Sequence, residues 1–218
     1  MKSLAAGLSA IVLCGCAALT PTSSPHSTQY SLDAAPSAVM AKTTPAAAPT
    51  LVVSPPYAAA GFDSPRMMYV RQAHKLEYFA HNEWTDTPAR MLAPLIAAAA
   101  ARSGAFRAVV TAPSTAAADL RLDTEVGGLQ QEFLGNPSRV RFTLRANIVD
   151  SATRRVIASR EFEAVAPAPS ENPYGGVVAA NQAVRAVLAE LGAFCAAAAS
   201  DWQPNASRFR AGVPTPAR

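Results

Sequence analysis

Histidine, tryptophan and cysteine are scarce in this chain of 218 residues, at three, two and three. Few histidines and no His-Glu-x-x-His leave little material for a zinc site. No Gly-x-Ser-x-Gly occurs, so the nucleophile turn of an α/β-hydrolase is missing. Gly175-Gly176 follows Tyr174 without the lysine and preceding strand of a phosphate loop, and reads as close packing at a helix start. Past the N-terminus no stretch reaches about 18 unbroken apolar residues, so no second membrane anchor is expected. The net charge is only +4, and the positive residues are spread out. That argues against nucleic acid as a partner.

What is present begins at the N-terminus. Lys2 precedes an apolar run at residues 4–13, which ends in Leu13-Cys14-Gly15-Cys16. A charged start, a short apolar stretch and small residues before a cut site make a secretory signal. The last four residues fit a bacterial lipobox, with Leu13, Gly15 and the acceptor Cys16 in place. Cys14 stands where a small residue is usual. Signal peptidase II would cut before Cys16, whose sulfur takes a diacylglycerol and whose amine is then acylated. Each buried CH₂ contributes about 0.8 kcal/mol, so several chains on one residue anchor stably. An ordinary signal peptide cut at Ala17 or Ala18 would still export the protein. Ala17 follows the acceptor where Asp tends to retain lipoproteins in the inner membrane, so the outer membrane, facing the periplasm, is expected. Cys14 leaves with the signal and Cys16 is lipidated. Cys195, flanked by Phe194 and Ala196, then has no disulfide partner and reads as a buried, inert thiol.

The division that follows is a signal peptide at 1–15, a lipidated N-terminus and flexible tether at 16–28, a folded domain at 29–200 and a disordered tail at 201–218. Pro21, Ser23, Ser24, Pro25 and Ser27 suit an extended linker. Residues 34–49 form a second loose stretch rich in Ala and Pro. Between them, Tyr30-Ser31-Leu32 is a short strand candidate. Strands are expected at 50–53, ended by Pro55-Pro56, and at 67–71 and 75–79 as a hairpin. Asp86 or Thr87 caps a helix with Pro88 at its first position. Met91, Leu92, Leu95 and Ile96 line it, and Ser103-Gly104 ends it. Residues 106–110 give another short strand.

Two long strands carry the clearest pattern. Leu120, Leu122, Thr124 and Val126 alternate with Arg121, Asp123 and Glu125. Val140, Phe142, Leu144, Ala146 and Ile148 alternate with Arg139, Arg141, Thr143, Arg145 and Asn147. Period 2 means one buried and one wet face. The first strand then changes parity, because Leu129 and Phe133 are odd. A β-bulge at Gly127-Gly128 would flip the faces, with glycine supplying the backbone freedom. Pairing outward from the turn at 135–138 sets Phe133 beside Val140 and Glu132 beside Arg141. A last strand covers 156–165, and Asn172-Pro173 opens a final helix striped by Val177, Val184, Val187, Leu188, Leu191 and Cys195. The fold expected is α+β, a mixed, mainly antiparallel sheet with a long hairpin and two helices on one face.

No catalytic constellation emerges, and no enzyme, cofactor or metal is expected. His26 lies in the tether, His74 at a turn and His81 after a strand. His81-Asn82-Glu83 lacks a second ligand cluster. Asp123 and Glu125 on the wet face suit salt bridges better than a glycosidase pair. Asn205-Ala206-Ser207 fits a glycosylation acceptor, which means little in an exported bacterial chain, and Arg208, Arg210 and Arg218 read as solvated. Arg139, Arg141 and Arg145 form a stripe with two readings: a solvated face balanced by Glu125, Glu132 and Glu163, or a docking surface for an acidic partner.

At this point the chain resembles a family, the ABC-type transport auxiliary lipoproteins of the PqiC-like group. The resemblance runs from Tyr30 to about Ala198. It rests on the lipobox, Tyr30-Ser31-Leu32, Leu51-Val52-Val53-Ser54-Pro55, and above all Trp84-Thr85-Asp86-Thr87-Pro88 followed by Met91-Leu92 and Ser103-Gly104-Ala105-Phe106. The insert around 34–49 and the arginine tail depart from the pattern. The resemblance implies an outer-membrane lipoprotein of an MCE-type transport system for lipids or other hydrophobic molecules. Its partners would be an MCE-domain protein and, indirectly, an inner-membrane ABC transporter; a homo-oligomer is compatible with this. Trp84 is then either a core anchor or a partner contact. The alternative function is a structural or assembly lipoprotein of outer-membrane biogenesis.

Overall fold

A computed structural model describes residues 27–33 and 47–204. The segments read above as signal peptide and lipobox, most of those read as tether and loose insert, and the residues from Asn205 onward lie outside the described residues.

Among the described residues nine strands and two helices follow in the order β1 (Thr28–Tyr30), β2 (Thr50–Val53), β3 (Tyr57–Ala58), β4 (Arg66–Gln72), β5 (Lys75–Trp84), α1 (Pro88–Arg102), β6 (Ala108–Thr111), β7 (Leu120–Glu132), β8 (Arg139–Asp150), β9 (Val156–Pro167) and α2 (Pro173–Asp201). β7, β8 and β9 form an antiparallel meander along one edge of β7. The other edge of β7 is shared end to end by three parallel strands. β2 pairs at Leu120 to Leu122, β3 at Glu125 and Val126, and β4 at Gln130 to Glu132. β6 extends the sheet beyond β2, while β5 and then β1 extend it beyond β4. The sheet is thus mixed, with most paired residues in the antiparallel ladders. β3 was not expected; only two residues pair, just past Pro55-Pro56, which leaves no periodic signal.

Both helices start where local chemistry dictates. Thr87 caps α1 by accepting from the Arg90 N–H, and Asn172 caps α2 by accepting from the Gly175 N–H. Each is followed by a proline at the first helical position, where a missing N–H costs nothing. Leu92 and Ile96 of α1 are fully buried, as are Val184, Val187, Leu191 and Cys195 of α2. They meet Leu51, Leu120, Leu122, Val126, Phe142, Leu144, Ile148 and Phe162 of the sheet in one core. The helices cover this face alone, which leaves the alternate side chains of the meander wet. By length and composition α2 could cross a membrane, but here it packs on β8 and β9 with its apolar stripe inward. Small residues let it approach closely. A Cβ on Gly175 would strike the Ser170 backbone, and one on Gly176 would strike the Gln131 amide.

The parity switch in β7 is a bulge between Val126 and Gly128, with Val126 buried before it and Leu129 and Gln131 after it. The reason for glycine differs from the expected one. Gly61 and Gly104 adopt positive φ, whereas neither Gly127 nor Gly128 does so. Space is what counts. A Cβ on Gly127 would lie 2.7 Å from Thr143 Oγ1, and one on Gly128 would lie 3.3 Å from the Phe62 ring. The register also differs from the expected one. Gln131 pairs with Val140 and Glu132 with Arg139, so Phe133 is not opposite Val140. The Phe133 N–H instead donates to the Val70 carbonyl of β4 at 2.8 Å. That bond continues the parallel β4–β7 ladder past Glu132.

The folded body also reaches past residue 200, where a disordered tail was expected to begin. Asp201 belongs to α2, and Trp202 follows as its C-cap. The Trp202 indole donates from Nε1 to Asp150 Oδ2 at 2.8 Å. Asp150 Oδ1 also accepts from the Thr153 N–H at 2.7 Å and hydroxyl at 2.9 Å. The bond from Trp202, aided by those from Thr153, holds the Asp150 carboxyl below its ordinary pKa.

Candidate functional site

The wet face of the meander is where the sequence placed its chemistry. Arg139, Arg141 and Arg145 reach it because they alternate with the core residues Val140, Phe142 and Leu144. All three are paired. Arg139 Nε donates to Glu132 Oε2 at 3.0 Å, and Arg141 Nε donates to Glu132 Oε1 at 2.8 Å. Arg141 also bonds Glu163. Arg145 lies 3.5 Å from Glu125 and 3.2 Å from Glu161. Three arginines therefore interleave with four glutamates across β7, β8 and β9. The expected Glu132–Arg141 pair exists, though it is diagonal rather than directly opposite. Glu161 had not been counted among the balancing acids.

Glu132 is the buried member, with its side chain 7% exposed. Burial alone would push its carboxyl up; the hydrogen bonds from Arg141 and Arg139 outweigh that and hold it below the usual range. Arg141, half-buried, is raised first by its bond to Glu132. A carboxylate held ionised by two guanidinium groups has no proton to offer near neutral pH, so Glu132 is unsuited to general acid work. Asp123 is likewise engaged, accepting from Arg121 Nε at 3.0 Å and from the Ser54 hydroxyl at 2.6 Å.

Trp84 is not on this surface. Its side chain is 4% exposed and lies in the core beside Leu129, Val140, Gly176 and Ala180. Its backbone N–H donates to Pro65, and the next N–H, of Thr85, donates to Tyr30. That burial is what the core-anchor reading of Trp84 expects. His74 occupies the β4–β5 turn at φ 67°, and His81 is exposed on β5. Among the described residues no group of three His, Cys, Asp or Glu could hold a metal. Cys195 is buried, which pushes its thiol up to about 12. The Asp150–Trp202 contact went unforeseen. A signal existed, since Trp202 lies two helical turns beyond Cys195, on the same stripe.

A family model described as "ABC-type transport auxiliary lipoprotein component" matches residues 30–192. Among curated proteins none matches. Among solved structures, the chain is similar to a Xanthomonas campestris protein of the DUF330 family, at 24% identity and a TM-score of 0.66. The likeness covers 79% of this chain and 97% of that one. A second crystal structure, of an uncharacterized protein, aligns at 14% identity and a TM-score of 0.59, over 77% of this chain and 97% of that one. These two likenesses establish a shared fold.

Proposed function

The chain belongs to the ABC-type transport auxiliary lipoprotein family, and from that premise we propose a non-catalytic, periplasm-facing lipoprotein of the outer membrane. It docks the bridging component of an MCE/ABC-type transport system for lipids or other hydrophobic molecules. The observation that carries the proposal is the family match, which spans nearly all of the folded body. Lipidation of Cys16 in the lipobox supplies the anchor. A tether of about twelve residues has an r.m.s. reach of roughly 20 Å, and confinement near the membrane raises the effective concentration for a weak interface.

The partner-facing surface is the outer face of the meander. Its arginines are already matched by glutamates, so it recognises by charge pattern and not by net positive charge. Pattern of this kind gives specificity more than affinity. The test is co-purification with the MCE-domain protein of the same operon, using wild type and Arg145→Glu. Arg145 suits the test because its pairs are exposed, and such pairs contribute about 0–1 kcal/mol to stability. Wild type should retain the partner, less so at high salt, and Arg145→Glu should retain it several-fold less. No retention by wild type refutes docking. Equal retention by the variant moves the contact off this face.

A further inference from the structure

One end of the sheet differs from the other. β4 and β7 run parallel, so the β4–β5 turn at His74 and the β7–β8 turn at 133–138 project from the same end. The first turn of α2 joins them there, because the Glu171 carboxylate accepts from the Ser138 N–H at 2.8 Å and Gly176 packs on Gln131. β1 pairs parallel to the far half of β5, with Thr28 opposite Asn82 and Tyr30 opposite Trp84. β1 therefore runs in the same direction as β5, away from the β4–β5 turn.

The side chains there suit a bilayer interface. Leu76 at 38%, Tyr78 at 41%, Leu134 at 52% and Tyr174 at 61% are exposed around the rim. On the other face of β4 and β5, Tyr69, Phe79 and Phe133 form a cluster at the same end, with ring centroids 4.5 to 6.4 Å apart. Tyrosine carries an apolar body and a polar tip, the combination enriched where hydrocarbon meets headgroups. Arg71 and Lys75 stand over this rim with side chains 62% and 61% exposed, and both converge on the single carboxylate of Glu77. One positive charge is left over, which complements lipid phosphate. The opposite end exposes the aliphatic residues Val156 and Ile157.

We propose that this end, made by the β4–β5 turn, the β7–β8 turn and the start of α2, rests on the phospholipid surface into which the Cys16 acyl chains insert. The inference rests on the Cys16 anchor. It orients the body end-on, with the strands steep to the membrane and the opposite end directed into the periplasm.

The test uses the lipidated chain purified from membranes and placed in vesicles of phosphatidylethanolamine and phosphatidylglycerol. A fluorophore is attached to Leu134→Cys in one sample and to Val156→Cys in another; both positions are exposed, and Cys195 is buried. Headgroup-bound nitroxide lipid then quenches the label. Quenching should be several-fold stronger at position 134 than at 156. Equal quenching at the two sites, stronger quenching at 156, or none at 134 with the chain vesicle-bound overturns the proposal. A chain that does not float with the vesicles at all refutes the Cys16 anchor and takes this proposal with it. Flotation lost in Cys16→Ala keeps the two failures apart.

Discussion

Replacing Trp202 by phenylalanine should loosen the C-terminal end of α2 while keeping most of its packing. The variant removes one bond, from the indole Nε1 to Asp150 Oδ2 at 2.8 Å. A hydrogen bond to a charged group contributes about 1.5–3 kcal/mol. Asp150 keeps its two bonds from Thr153, so its charge is not orphaned and the loss falls at the lower end. We expect about 1–2 kcal/mol in urea unfolding at pH 7, or roughly 2–8 °C in Tm for a domain of this size. The effect has a pH signature. The folded pKa of Asp150 is depressed, chiefly by Trp202. Its contribution is therefore complete above the unfolded pKa, near 3.9, and fades as pH falls through the folded value. The difference between wild type and Trp202→Phe should shrink in acid, with the urea slope unchanged. A loss under about 0.5 kcal/mol at pH 7, below the usual worth of one hydrogen bond, would refute the reasoning. So would a loss that stays constant as the pH falls.

Gly127→Ala should destabilise the domain by about 1–3 kcal/mol through overpacking. Thr143→Ala, which removes the hydroxyl that the new Cβ meets, should restore most of that in the double variant, as thermal unfolding would show. Arg141→Met should cost about 2–3 kcal/mol, because it leaves the buried Glu132 carboxylate with Arg139 alone. Arg145→Met, at an exposed pair, should cost under about 1 kcal/mol; equal costs for the two would contradict the burial of Glu132.

The parts of this fold that were legible from sequence are those written in local chemistry. Thr87-Pro88 and Asn172-Pro173 announce their helices because a cap and a proline act within one turn. The long strands show themselves because burial of one face forces alternation, and the bulge shows itself because alternation changes phase at Gly127-Gly128. What was missed depends on partners distant in sequence. The pairing of β7 with β4 could not be read because Val70, which takes the Phe133 N–H, lies sixty-three positions earlier. Glycine at 127 looked like a need for backbone freedom, yet the constraint comes from the facing side chain of Thr143. Trp84 had two readings because a tryptophan before a helix is equally at home in a core and at an interface; only burial separates them.

The charge ladder follows from the same layer logic. With both helices on one face, the other face of β7, β8 and β9 has no helix over it among the described residues. A flat apolar sheet there would invite stacking or edge-to-edge association. Arginine and glutamate in alternation keep it wet, and pairing across strands keeps like charges from facing each other. β9, which among the described residues pairs with β8 alone, carries Arg160, Glu161 and Glu163 along its length, the kind of charged edge that resists addition of a further strand. Most of these pairs are exposed and worth little to stability. The exception is Glu132, whose burial ties Arg139 and Arg141 into fixed positions. A partner reading this face would meet a preset pattern at that end and an adaptable one around Arg145. Substitutions near Glu132 should therefore change stability first and binding second, and those near Arg145 binding first.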